Sequence, residues 1–155
     1  MLEIGKRYNP IMPLPDFNTD GDLPIGMYLA SLDEVIDRFG KSTSQRAKIA
    51  ERLKRIHSLV KNTNGLARFI IFGSFITGKS SPNDVDIFLL MSDAFDVGKV
   101  TGETLIVFDH PAAQSYFGAS IFWVRRFAAL GGETATVEHW QIKRDGTQRG
   151  IVEVI

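Results

Sequence analysis

Before residue 31 the apolar positions follow no period. Pro10, Pro13, Pro15, Gly21, Pro24 and Gly26 interrupt them, which predicts an irregular arm over 1–30 that packs on the core. Ser31 followed by Glu34 is a capping box, and it predicts a short helix over 32–39 that Gly40 ends. Ile49, Leu53, Ile56 and Val60 then recur at helical spacing, so 42–62 reads as a long amphipathic helix with Gly65 beyond its end. At 68–72 the pattern becomes strand-like: Arg-Phe-Ile-Ile-Phe is a buried-type run stopped by Gly73-Ser74. A second strand, 84–91, is polar at its start and apolar after. A helix over 109–117, broken by Gly118, leads into a third strand over 119–124. The tail predicts a hairpin, with limbs 140–144 and 150–155 around Asp145-Gly146. No repeat or low-complexity linker divides the chain. The expected architecture is a single α/β (α+β) domain over 1–155, a small twisted mixed sheet backed by helices 31–39 and 42–62 and closed by a C-terminal β-hairpin.

Composition narrows the class without choosing a function. At 155 residues, 44% hydrophobic and 23% charged, the chain is long enough for one core and ordinary for a globular domain. No apolar run approaches the ~20 residues of a membrane span, and the N-terminus lacks a signal-peptide pattern, so the expectation is a soluble cytoplasmic protein with no membrane partner. Without cysteine there is no disulfide framework and no thiolate zinc site. Eighteen basic residues balance eighteen acidic ones, which argues against a generally basic coat for nucleic acid. The balance nevertheless hides blocks. In 16–40 six acids face Arg38 alone, in 41–62 seven basic residues face Glu51 alone, and in 84–109 six acids face Lys99 alone. Such blocks are commonly solvated helix faces. The alternative is an acidic site facing a basic wall, with helix 42–62 as the wall for an anionic acceptor.

Two motifs overlap at 73–86. Gly73-Ser-Phe-Ile-Thr-Gly78-Lys79-Ser80 satisfies the phosphate-binding G-x-x-x-x-G-K-S pattern. In a P-loop, however, the Lys-Ser pair opens a helix. Here only three residues, ending in Pro82-Asn83, separate it from the next strand, and Pro82 turns Ser81 away from the helical region. The other motif is Asp84-Val85-Asp86-Ile87. Alternation along a strand puts the two carboxylates on one face, roughly 6.5–7 Å apart at Cα, while Val85, Ile87 and Leu89 point into the core. Two carboxylates so placed can share the metal ions that drive in-line phosphoryl or nucleotidyl transfer. Gly73 allows close backbone approach to a triphosphate, Ser74 offers a hydroxyl or amide, and Lys79 is a candidate phosphate contact.

The strand 69–72, Gly73-Ser74 and Asp84-Val85-Asp86-Ile87 resemble, in order and spacing, the nucleotidyltransferase superfamily of DNA polymerase β-like and minimal nucleotidyltransferases. The flanks at 23–26 (Leu-Pro-Ile-Gly), 30–40 and 140–152 are similar to a family of uncharacterised bacterial and phage proteins on the same core. The resemblance implies Asp84 and Asp86 as Mg²⁺ ligands and catalytic residues, with Gly73, Ser74 and Lys79 binding the nucleotide. The implied reaction transfers a nucleoside monophosphate from an NTP to a hydroxyl on a protein, RNA or small molecule. Active members place a third carboxylate on a later strand, where this chain has Ser120, a poor base and a weak Mg²⁺ ligand. Asp109, before His110-Pro111, reads first as a helix cap, and Glu138 has no sequence feature aiming it at the site. The alternative is therefore a catalytically degenerate fold that acts as a binding or antitoxin-type regulatory partner, engaging another protein or a second copy. A P-loop nucleotide binder is the third choice.

Weaker features follow. His57 flanks an apolar stripe, and His110 and His139 have no metal-spaced companion. Trp123, Trp140, Phe117 and Phe122 are expected in the core, since a base-stacking surface would need them exposed beside basic side chains. Arg144 and Arg149 flank the Asp-Gly turn within reach of phosphates, although solvated hairpin charges are the commoner case.

Overall fold

The computed structural model describes residues 14–155, so the first thirteen residues of the expected arm lie outside it. Five strands form one mixed sheet: β1 (Met27–Ala30), β2 (Leu66–Phe72), β3 (Val85–Met91), β4 (Ala119–Arg125) and β5 (Ile151–Val154). Their spatial order is β1-β5-β2-β3-β4. β2 runs antiparallel to both β5 and β3, while β1–β5 and β3–β4 are parallel pairs. The helices are α1 (Leu32–Phe39), α2 (Ser44–Lys61), α3 (Gly102–Val107), α4 (His110–Phe117) and α5 (Glu133–His139).

The local signals in the chain explain the helices. At α1 the Ser31 hydroxyl accepts from the Glu34 amide at 3.1 Å and the Glu34 carboxylate accepts from the Ser31 amide at 2.8 Å, so the capping box closes in both directions. α2 starts two residues later than its periodicity alone suggests, because Thr43 is the cap and accepts from the Arg46 amide. Ile49, Leu53, Ile56 and Val60 are all buried on the sheet. Each contributes roughly 1.5–3 kcal/mol relative to exposure.

Two layers cover the sheet unequally. Val85, Ile87, Leu89 and Met91 join Phe69, Ile71 and the apolar faces of α1 to α4 in the main core. The opposite face carries Ile70, Phe88, Leu90 and Ile151 under the thinner cover of Ala129, α5 and Trp140. Alternation on β3 therefore assigns Asp86 to the thinly covered face and keeps α2 on the other side.

Three expectations are corrected. The arm contains a strand, β1, which the Pro/Gly punctuation concealed. The predicted limb 140–144 does not begin as a strand, because Trp140 is the C-cap of helix α5. The C-terminal β-hairpin is also not a hairpin of two sheet strands. Around Asp145-Gly146 only Ile142 and Gln148 bridge. The second limb leaves as β5, which enters the sheet between β1 and β2 because Ile151, Val152 and Val154 need cover on both faces. Among the described residues no helix is long and apolar enough to cross a membrane.

The twelve residues 73–84 between β2 and β3 are held by Arg46. Its guanidinium is buried and donates to the carbonyls of Phe39 (3.0 Å), Phe75 (2.6 Å), Thr77 (2.7 Å) and Lys79 (2.5 Å). Burial pulls its pKa below the ordinary guanidinium value. Gln45 adds a bond to the Pro82 carbonyl, and the Gly78 amide donates to Gly21 in the arm. Replacing Arg46 with Met orphans four acceptors, and we expect it to cost about 3–5 kcal/mol in urea denaturation. Arg46→Lys should recover only part of this, since an ammonium cannot span the same fork of carbonyls. Wild-type stability in Arg46→Met would show that the loop does not depend on this residue.

Candidate functional site

Asp84, immediately before β3, and Asp86, its second residue, face the end of β2 across the antiparallel pair, where Phe72 is the register partner of Asp86. The chain turns there through Gly73 at φ +81, ψ −167, a region that only glycine occupies comfortably. The space where a side chain would begin is filled by the carboxylate: a Cβ on Gly73 would overlap Asp86 Oδ2 and stand 2.8 Å from its Cγ. Sequence reasoning assigned Gly73 to ligand approach; its first task is to admit Asp86. Ser74 opens a single 3-10 turn whose carbonyl accepts from the Thr77 amide and hydroxyl.

A groove of about 760 Å³ runs over this point and brings together all five predicted site residues: Gly73, Ser74, Lys79, Asp84 and Asp86. No helix follows Lys79-Ser80; the chain runs irregularly to Val85. The G-x-x-x-x-G-K-S match thus lacks the helix N-terminus that a P-loop uses, because Arg46 draws the loop carbonyls toward α2.

The basic wall is also not where the charge blocks placed it. No residue of 42–62 lines the groove, since α2 packs against the opposite face of the sheet. α2 spends Arg46 on the loop and Arg55 on Glu103, at 2.5 Å. The cations over the carboxylates are Lys79 and, from the tail, Lys143, Arg144 and Arg149. Asp22 of the arm holds two of them, pairing with Lys143 at 2.8 Å and Arg149 at 3.4 Å while itself buried. The same junction is pinned by Gly150 N–H to the Leu23 carbonyl and by Gly26 N–H to the Gln141 side chain. Asp22 carried no periodic signal, and its partners lie more than 120 residues away.

Burial raises Asp86 to a pKa of about 6, and the neighbouring charge of Asp84 adds to the rise; Arg149, the Ser120 hydroxyl and Arg144 oppose it. Ser120 is the direct register partner of Asp86 on β4. Its hydroxyl lies 3.2 Å from Asp84 Oδ2 and 2.8 Å from Gln114 Oε1, so its single hydrogen serves one of them at a time. The other acids considered for this position are occupied elsewhere. Asp109 caps α4 by accepting from the Ala112 amide, and Glu138 lines a separate groove near Met27 and Arg68. Among the described residues no third histidine or acid completes a metal-binding cluster with Asp84 and Asp86.

Two carboxylates, one desolvated, suit a hard divalent cation whose remaining ligands are water and the phosphates of a substrate. The buried carboxylate in the glycine cradle is the observation that fits such an ion, and the four cations opposite suit the anion that would accompany it.

The aromatic expectations divide. Trp123 lies in the core against Phe95 and Phe108, and its N–H donates to the Phe108 carbonyl; Phe117 is buried as well. Phe122, by contrast, is 39% exposed and lines the groove with Trp140, contrary to a core assignment. His139 lines it too, whereas His57 packs edge-on against Phe69 in the main core, where burial lowers its pKa.

A family model described as "Family of unknown function (DUF6932)" matches residues 15–155. No curated protein and no solved structure matches the chain.

Two outcomes follow from the cradle. Gly73→Ala should cost more than about 2 kcal/mol, and a double-mutant cycle with Asp86→Ala should return the clash component while leaving a backbone cost of about 1–3 kcal/mol. Strict additivity would separate the two residues. A carboxyl whose folded pKa is raised contributes stability at low pH and loses it as pH rises through about 6. Asp86→Asn should therefore stabilise the metal-free protein at pH 7.5 by on the order of 2 kcal/mol and have little effect at about pH 3, below the unfolded carboxyl pKa, read from urea midpoints in chelator. An equal effect at both pH values would contradict this.

Proposed function

We propose that this chain, which belongs to the DUF6932 family of unknown function, is a nucleotidyltransferase-like protein that binds a Mg²⁺–nucleoside triphosphate and transfers the nucleoside monophosphate to a hydroxyl acceptor, releasing pyrophosphate. The observation that carries this reading is the meeting of the two motifs, the Gly73-Ser74 turn closing directly on Asp86. The arrangement of β2, the glycine turn and Asp84-x-Asp86 supports a nucleotidyltransferase-type core within the mixed sheet. Asp84 and Asp86 would hold Mg²⁺, which on binding supplies charge neutralisation and polarises the phosphoryl oxygens. The chain's own residues do the rest. Gly73 lets the backbone close on the site, Ser74 and Lys79 face the phosphates, and Arg149, Arg144 and Lys143 balance their charge from the tail.

Ser120 favours a second reading. Its hydroxyl sits between Asp84 and Gln114 and has no basic character, so the site can bind a nucleotide without activating an acceptor. On that reading the fold is a regulatory or antitoxin-type binding partner.

Calorimetry with each of the four Mg²⁺–NTPs, followed by pyrophosphate release, tests both. The expected result is Mg²⁺-dependent binding that Asp86→Asn weakens at least tenfold, with transfer lost in Asp84→Ala/Asp86→Ala. Binding with no transfer, together with transfer appearing in Ser120→Asp, would establish the second reading. Nucleotide affinity indifferent to both Mg²⁺ and Asp86→Asn would refute the assignment.

A further inference from the structure

A second groove, of about 510 Å³, lies next to the carboxylates on the thin face of the sheet. Phe122, His139 and Trp140 line both it and the carboxylate groove, so the two adjoin. We propose that this groove is a nucleobase subsite, in which the base of the bound nucleotide stacks on Phe122 while its phosphates lie at Asp84 and Asp86. The inference rests on the nucleotide-binding reading above and extends it to the part of the ligand that reading leaves unplaced.

Register supplies the first argument. β3 and β4 run parallel with Asp86 opposite Ser120, Phe88 opposite Phe122 and Leu90 opposite Val124. Alternate residues share a face, so the Phe88–Phe122 pair stands one step, roughly 6.5–7 Å, beyond the carboxylate on the same surface. That step matches the span of a ribose between its α-phosphate and its base.

The lining supplies the second. The volume lies within the usual range for small-molecule sites, and apart from His139 and Thr136 the walls are apolar, unlike the charged groove beside it. Trp140 is held rigidly, with ring centroids 4.4 Å from Phe72, 5.2 Å from Phe88 and 5.1 Å from Phe122. His110 packs against Phe122 at 4.7 Å, which steadies the ring at the rim. Phe122 remains 39% exposed beside Asp86 and the basic tail, so part of its side chain is open to a ligand. The Trp140 indole N–H is the one buried side-chain polar atom among the described residues with no hydrogen-bond partner.

Inorganic tripolyphosphate with Mg²⁺ separates the phosphate site from the base site. Calorimetry should show the tightest of Mg²⁺–ATP, –GTP, –CTP and –UTP binding at least about fivefold more tightly than Mg²⁺–tripolyphosphate, the lower bound for one stacked base. Phe122→Ala and Phe122→Leu should abolish that margin and leave tripolyphosphate affinity unchanged, which also reports that the variants are folded. Phe122→Tyr should keep it. Equal affinities for nucleotide and tripolyphosphate, or variants that weaken both alike, overturn the base subsite while sparing the phosphate site. Failure of both ligands to bind overturns the nucleotide-binding reading and the subsite with it.

Discussion

A single buried guanidinium determines where the candidate site can be. Arg46 enters the core from the first turn of α2 and, among the described residues, meets no carboxylate; it is satisfied by four backbone carbonyls. The twelve residues between β2 and β3 are too many for a tight hairpin and form no α-helix, only the 3-10 turn Ser74–Ile76. Their backbone groups still need partners once they approach the core. Arg46 provides those partners for Phe75, Thr77 and Lys79, and it ties them to Phe39 at the end of α1. The two ends of the loop, Gly73 and Asp84, are thereby held where the antiparallel pair brings them together. The cost of burying the cation is thus offset by organising a loop, and a hydrophobic residue of similar size could not do the same.

The parts of the fold legible in the sequence are those whose cause is local. Ser31 and Glu34 lie three residues apart, the α2 stripe repeats within one helix, and Asp84-x-Asp86 needs only strand alternation; each is present as read. The parts that were missed depend on distant partners. β1 and β5 are four-residue strands whose sheet positions come from each other and from β2. Three of the four basic side chains over the carboxylates belong to the tail, and two of these, Lys143 and Arg149, are held by Asp22, more than 120 residues earlier. The charge blocks suggested α2 instead. Block counting ignores which side of the sheet an element covers, and β3 has its acids on one side and α2 on the other.

The neutral total of 18 against 18 therefore has a structural meaning different from a simple pairing of blocks. Asp22 stands against Lys143 and Arg149, Arg55 against Glu103, and Arg68 against Glu133 and Glu153. These pairs join elements far apart in the chain, and the first of them leaves Arg149 shared. One side of its environment is Asp22; the other is Asp86, whose ionised form it favours. An anion entering the groove would compete for a guanidinium already aimed there, so little reorganisation is needed for binding.

Ser120 in the register position opposite Asp86 bears on the same balance. Burial already raises Asp86, and charge repulsion from Asp84 raises it further. A third carboxylate at Ser120 would add to that repulsion in the absence of a cation, and the basic residues of the tail would have one more charge to offset. A hydroxyl bonded between Asp84 and Gln114 avoids that load. Without a cation the site therefore sets two acids rather than three against the basic side chains of the groove. On the second reading proposed above, the same hydroxyl would leave an acceptor without an obvious base, so a lighter charge load and a lack of acceptor activation would have one physical origin.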